Sequence, residues 1–262
     1  MKFIYLALIL ITGLSFSSAS IAKNSFLVAP GIVNFDLKKP ETQSFIITNN
    51  GDEKIRLTIE PVYYAPDSKS LNLGKHLNAD TAEIESLIGT LRVSPRRLSL
   101  NPGQRRDIRV SIRPKPGLTD GDYRSHLTVK MLETAYSIKA GDAADGGVGM
   151  NINVKLQTGV ALYGSIGERA EADLVFSCAK HPETNNLTLT VKNDSKWRFA
   201  GIVTIKGNDP AKEAIYNERT VVLRDTVRDV KIKAPYNNEP LTISYSRLET
   251  PDLVKQASCG VI

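Results

Sequence analysis

The residues here whose types could do chemistry are two cysteines, Cys178 and Cys259, three histidines, His76, His126 and His181, and an arginine-rich run from Arg96 to Arg106. In an oxidising compartment the cysteines read as a disulfide, the other reading being two buried free thiols. Closing a loop of about 80 residues is worth roughly 4 kcal/mol in the chain-entropy model, less any native strain. The histidines show no ligand spacing with either cysteine, so no metal site is expected. The sequence has no Gly-rich phosphate loop, no His pair at metal spacing, no Gly-x-Ser-x-Gly and no cysteine beside a plausible base. Carboxylates are scattered as on any soluble surface. The expectation is therefore a protein that is not an enzyme, has no catalytic residues and takes neither cofactor nor small-molecule substrate.

The run Arg96-Arg97-Leu98-Ser99-Leu100-Asn101-Pro102-Gly103-Gln104-Arg105-Arg106 raises nucleic acid as a partner. Its interleaved leucines and Asn-Pro-Gly turn instead favour a hairpin whose arginines sit on a solvated face, so no nucleic-acid partner is expected. Across all 262 residues, 34 Lys and Arg stand against 28 Asp and Glu, net +6, with 41% hydrophobic and 24% charged residues. Collagen-like and disordered compositions are excluded.

Residues 1–22 read MKFIYLALILITGLSFSSASIA: a basic start at Lys2, an apolar run from Phe3 to Leu14, then small residues ending in Ala22. That is the pattern of a secretory signal cleaved before Lys23. The apolar run falls short of the ~20 residues that cross a bilayer, and no later stretch approaches that length. Without residues 1–22 the balance is 33 basic to 28 acidic groups, net +5, which slightly favours anionic partners.

The elements that must position any site are strands. Thr42 to Thr48 ends in Asn49-Asn50-Gly51, and Ile55, Leu57 and Ile59 then alternate with polar residues, which reads as a hairpin. Ile108, Val110 and Ile112 alternate likewise, as do Tyr123, Ser125, Leu127, Val129 and Met131, so each strand is expected to have one wet and one dry face. Only Asp80 to Ile88 reads as a helix, a short one. After Gly164 short strands resume, separated by Asn, Asp and Pro turns. The chain is therefore all-β: two immunoglobulin-like sandwiches, residues 23–163 and 164–262.

Val148 to Leu162 is the most informative segment. Met150, Ile152, Val154 and Leu156 occupy every second position, and Asn151, Asn153, Lys155 and Gln157 fill the gaps, with no proline in the ladder. Such a strand either covers its own core or accepts a foreign strand along a free edge.

These residues resemble a family. Val93 to Val110, with Ser94-Pro95-Arg96, Leu98, Leu100, Pro102-Gly103 and Arg109-Val110, is similar to a signature stretch of the periplasmic pilus chaperones, the PapD-like partners of the chaperone–usher pathway. Gly121 to Leu127 looks like the start of that family's F strand. Phe45 to Asn49 and Leu187 to Asn193 are similar to its two strand-then-Asn turns. The resemblance implies a boomerang of two immunoglobulin-like domains in the periplasm. It also implies a G strand, here Val148 to Leu162, lent to unfinished pilus or fimbrial subunits until they pass to an outer-membrane usher. Met150, Ile152, Val154 and Leu156 would fill the subunit's groove. A free molecule could cap the same strand by dimerising.

Two departures from the family pattern stand out. Ala29-Pro30-Gly31-Ile32-Val33 lacks the arginine, and Gly159-Val160-Ala161 lacks the lysine, that together hold the subunit's terminal carboxylate in the usual members. The resemblance is thus to a divergent or archaic-type branch with a moved anchor, for which Arg124 and Lys155 are the candidates. The Gly/Ala-rich stretch Glu133 to Gly147 suits a loop that orders on binding. The reading from another class is a secreted β-sandwich that is itself a surface or fibre component.

Overall fold

A computed structural model of the chain describes residues 24–64, 75–76, 84–133, 136–140, 150–170, 173–207, 213–236 and 238–261. The signal-like residues 1–22, and 80–83 of the expected helix, lie outside them.

The first half contains β1 (Phe26–Ala29), β2 (Ile32–Asp36), β3 (Glu41–Asn49), β4 (Ile55–Val62), β5 (Lys75–His76), β6 (Leu91–Ser94), β7 (Arg97–Leu100), β8 (Arg105–Ile112), β9 (Gly121–Met131), β10 (Tyr136–Ala140), β11 (Met150–Val154) and β12 (Gln157–Ile166). The second contains β13 (Val175–Lys180), β14 (Asn186–Asn193), β15 (Phe199–Lys206), β16 (Tyr216–Val222), β17 (Thr226–Pro235), β18 (Thr242–Arg247), β19 (Lys255–Ser258) and β20 (Gly260–Val261).

In the first sandwich the sheet β1-β3-β8-β6 faces the sheet β2-β12-β9-β4-β7. Alternation supplies the core: Phe45 and Ile47 from β3 and Ile108, Val110 and Ile112 from β8 are buried with Ile55, Leu57 and Ile59 from β4 and Val160 and Leu162 from β12. In the second sandwich β20-β13-β14-β17-β5 faces β16-β15-β18-β19 around a separate core. Phe176 and Tyr245 meet there with ring centroids 5.2 Å apart. The Cys178–Cys259 disulfide is present beside them, with its Cα atoms 5.6 Å apart. No helix among the described residues is long and apolar enough to cross a membrane.

Two expected hairpins prove to be crossovers. β3 and β4 lie in opposite sheets, as do β7 and β8. The reason at the first crossing is Asn49, which is buried and donates from Nδ2 to the carbonyls of Glu53 and Leu100 at 2.8 and 3.1 Å while its Oδ1 accepts from Gly51 N–H. The side chain satisfies backbone groups that a hairpin ladder would have paired. Asn193 does the same at the end of β14, donating to Trp197 and Leu223 carbonyls at 2.9 Å.

Other expectations also need correction. Residues 85–88 bridge at Ser86 to Arg124 and enter a 3-10 turn, Ile88–Thr90, instead of continuing a helix. The stretch expected to be a loop, Glu133 to Gly147, contains β10, paired with β11 through Tyr136↔Val154 and Ile138↔Ile152. Tyr136 and Ile138 already alternate with Ser137 and Lys139 there, a period-two signal masked by the flanking glycines and alanines. Finally, β9 has no wet face before Lys130: Arg124, His126 and Thr128 are buried along with the apolar residues between them. Tyr63, Tyr64 and Glu85 cover its outer side, with Tyr64 edge-on to His126 at 5.4 Å.

Candidate functional site

The segment Val148 to Leu162 is two strands with a break at Lys155-Leu156, not one ribbon; residues 148–149 lie outside the described residues. β11 pairs with β10 alone. β12 pairs with β9 along its whole length, from Gln157↔Lys130 to Ile166↔Gly121, and with β2 only from Ala161 to Ser165. Among the described residues, the second backbone edge of Met150–Val154 and of residues 157–160 therefore has no strand partner. This is an open ledge of N–H and C=O groups.

The four apolar candidates are distributed along that ledge. Backbone alternation puts Met150, Ile152 and Val154 on one face of β11, opposite Ala140, Ile138 and Tyr136. Val154 and Leu156 are half-buried, and Leu156 packs against the first core. Lys155 is exposed at the break. Val160 and Leu162 belong wholly to the protein's own core, so the far end of the apolar row is committed to it.

Arg124 sits elsewhere. It is 2% exposed, and its Nε lies 2.6 Å from Glu85 Oε1. Its Nη2 donates to Tyr63 Oη at 3.1 Å, its guanidinium stacks 4.7 Å from the Tyr63 ring, and Tyr63 Oη donates in turn to Glu85 at 2.6 Å. Burial, opposed by the Arg124 charge, leaves Glu85 above the usual carboxylate range, and burial likewise pushes the Tyr63 phenol up. A buried guanidinium needs such partners, because an unpaired charge there would cost several kcal/mol.

Two residues before it, Asp122 joins the sandwiches. It is 4% exposed. Its carboxylate accepts from Arg169 Nη2 at 2.9 and 3.0 Å, from the backbone N–H of Arg198 at 2.8 Å and from Ser165 Oγ at 2.5 Å. Its own N–H donates to the Lys196 carbonyl, and its carbonyl accepts from Arg224 Nη1 at 3.0 Å. Arg198 also lies 3.8 Å over the Tyr163 ring and donates to Asn34. At Gly121, φ is +145° and a Cβ would stand 3.0 Å from the Lys196 carbonyl, so only glycine lets the two sandwiches approach this closely. The space left among Glu85, Tyr123, Arg124, Arg198 and Arg224 is about 10 Å³, room for no more than one water.

Sequence reasoning missed Asp122, Arg169, Arg198, Arg224 and Glu85. Their contacts span up to 164 residues. The one local signal was a Gly-Asp pair opening a strand whose polar residues were all capable of pairing.

This two-sandwich fold is that of solved pilus chaperones. It is similar to the YadV chaperone, with a TM-score of 0.53 and 7% identity over 89% of this chain and 98% of that one. It is also similar to the CsuC–CsuE chaperone–tip adhesion subunit pre-assembly complex from archaic chaperone–usher Csu pili of Acinetobacter baumannii, with a TM-score of 0.52 and 12% identity over 91% of this chain and 99% of that one. No protein-family model matches the sequence, and no curated protein matches it.

Proposed function

We propose that the protein is a non-enzymatic periplasmic chaperone that binds pilus or fimbrial subunits by strand donation and delivers them to an outer-membrane usher. The observation that carries this reading is the ledge: residues 150–160 are paired on one side by β10 and β9 and on the other by no strand among the described residues. A subunit lacking one strand would zip along that edge, with Met150, Ile152, Val154 and Leu156 filling its groove. Each such side chain, fully buried, contributes roughly 1.5–3 kcal/mol gross. The fold shared with YadV and with CsuC in its subunit complex supports the reading.

Of the two cations expected to fix the register, Lys155 has the exposure for it. Arg124 would take part only through Nη1, the nitrogen without a hydrogen-bond partner among the described residues, and only if Tyr63 and Glu85 gave way. In the free protein a second copy could occupy the same edge.

The test is Val154→Arg, purified beside the wild type from a native periplasm. The variant should keep the wild-type circular dichroism and melting curve yet lose the co-purifying subunit. Undiminished recovery of the complex would refute the proposal. Unfolding of the variant would favour the surface or fibre component, in which this row is internal core.

A further inference from the structure

The positive charge of this protein is concentrated in one segment. Residues 91–115 hold eight Lys and Arg against a single carboxylate, Asp107, a balance of +7 in a chain whose total is +6, so the remainder sums to −1. The fold spreads that excess over one surface. β8 buries Ile108, Val110 and Ile112 and turns Arg105, Arg109 and, just beyond its end, Arg113 outward. β6 places Arg92 beside Ser111 and Ser94 beside Arg109, and β3 places Thr42 beside Ser111 and Ser44 beside Arg109. Directly opposed residues share a face. The outside of β3-β8-β6 is therefore an array of arginines separated by small hydroxyl side chains, with Asp107 standing between Arg105 and Arg109 and the half-buried Ile46 beside it. It runs about 26 Å from Arg105 to Arg113 at ~3.3 Å per residue.

No ion pair among the described residues involves Arg92, Arg105, Arg109 or Arg113. Two open concavities lie between them, one of about 430 Å³ against Ser94, Arg105, Asp107 and Arg109, the other of about 320 Å³ against Glu41, Thr42, Arg92, Ser111 and Arg113, so each holds one carboxylate among its cations. We propose that this face docks on an anionic membrane surface, its guanidinium forks meeting the phosphodiesters of lipid headgroups.

Charge complementarity selects the class, and the absence of anchors selects the occupant. A specific protein partner would need a packed apolar or aromatic centre. Residues 91–115 contain no aromatic residue, and the exposed large apolar residue at this face is Leu27, 53% exposed on the marginal strand β1 beside Thr48. Without aromatic platforms the face also lacks what stacks single-stranded nucleic acid, and the export expected from residues 1–22 puts lipid rather than nucleic acid beside it. An anionic lipid plane needs no register, and each cation in excess of the carboxylates held near it adds about fivefold to binding. Leu27 could insert at the rim. The ledge lies on β11, in its own two-stranded sheet, and on β12 in the opposite sheet, so the two surfaces are independent and each can fail alone.

The experiment is co-sedimentation of the chain lacking residues 1–22 with phosphatidylethanolamine–phosphatidylglycerol vesicles and with phosphatidylcholine vesicles. Binding is expected to the anionic vesicles alone and to vanish at about 0.5 M salt, where the Debye length is only a few ångströms. Arg105→Glu/Arg109→Glu/Arg113→Glu should bind at least about a hundredfold more weakly, while the triple Lys variant keeps most of the binding. Equal binding to both vesicle types, insensitivity to salt, or binding to polyglutamate or duplex DNA without binding to vesicles would each overturn the proposal. All three positions are exposed, and the Lys variant and the salt series read the charge effect should the Glu variant fold poorly.

Discussion

Asp122→Ala should uncouple the two sandwiches. The carboxylate takes two contacts from Arg169, one from the Arg198 backbone and one from Ser165, all at a position 4% exposed. Breaking a buried ion pair by removing one partner costs roughly 3–5 kcal/mol. Arg169 is about one-fifth exposed and keeps Glu249 at 2.8 Å, so the lower end applies, about 3 kcal/mol. With an m-value near 3 kcal/mol/M in urea, the midpoint falls by about 1 M. Trp197, the one tryptophan, is buried beside this network with the Arg169 guanidinium 5.8 Å from its ring centroid, so its fluorescence reports the junction. The wild type should lose Trp197 fluorescence and far-ultraviolet dichroism together. In the variant the two curves should separate, the fluorescence change coming first. Asp122→Asn, which keeps one acceptor oxygen, for the Ser165 hydroxyl or for the Arg198 N–H, and loses the charge, should fall between. Coincident curves with a midpoint shift under about 0.2 M would refute the idea that Asp122 holds the sandwiches together.

Burial, aided by the neighbouring Arg124 charge, holds the His126 imidazole down at about 4. The folded state thus binds fewer protons than the unfolded one. Its contribution is fully present above an ordinary imidazole pKa of about 6.5 and is lost as pH falls from there toward 4, by roughly 3 kcal/mol. Urea midpoints measured between those limits should fall less steeply for His126→Gln, and parallel slopes would count against the assignment. Cys178→Ser/Cys259→Ser should lower the midpoint reported by Trp197 by the equivalent of about 2–5 kcal/mol, and a reductant should do the same to the wild type.

The strands were legible because period-two alternation is local, and the cysteine pairing because there were only two cysteines to join. Which sheet a strand joins was not. Asn49-Asn50-Gly51 carries the same residues whether it closes a hairpin or crosses the sandwich, and the choice is made by where the Asn49 amide finds carbonyls, one of them at Leu100. Arg124 shows the same limit at the candidate site. Alternation put it on the outer face of β9, which was correct, but the cover over that face comes from Tyr63 and Glu85, 61 and 39 residues away in sequence. Nothing local to Arg124 separates a cation facing water from one facing a carboxylate.

β9 connects the brace to the ledge. Its first residues, Gly121 to Arg124, are bonded through Asp122 to the second sandwich and through Arg124 to Glu85. Its last residues, Leu127 to Lys130, carry the paired side of Gln157–Val160. β9 is therefore fixed at its head by buried charges and backs the open-edged strand at its tail, with Val160 and Leu162 pinning that strand into the core a few residues further on. If the protein captures subunits as proposed, a template that is rigid beforehand loses less entropy on binding. Arg124, which the sequence reading offered as a carboxylate anchor, is instead bonded to Glu85 and Tyr63 at the head of this strand. Asp122→Ala should accordingly weaken subunit capture even though Asp122 lies beyond the open stretch of the edge.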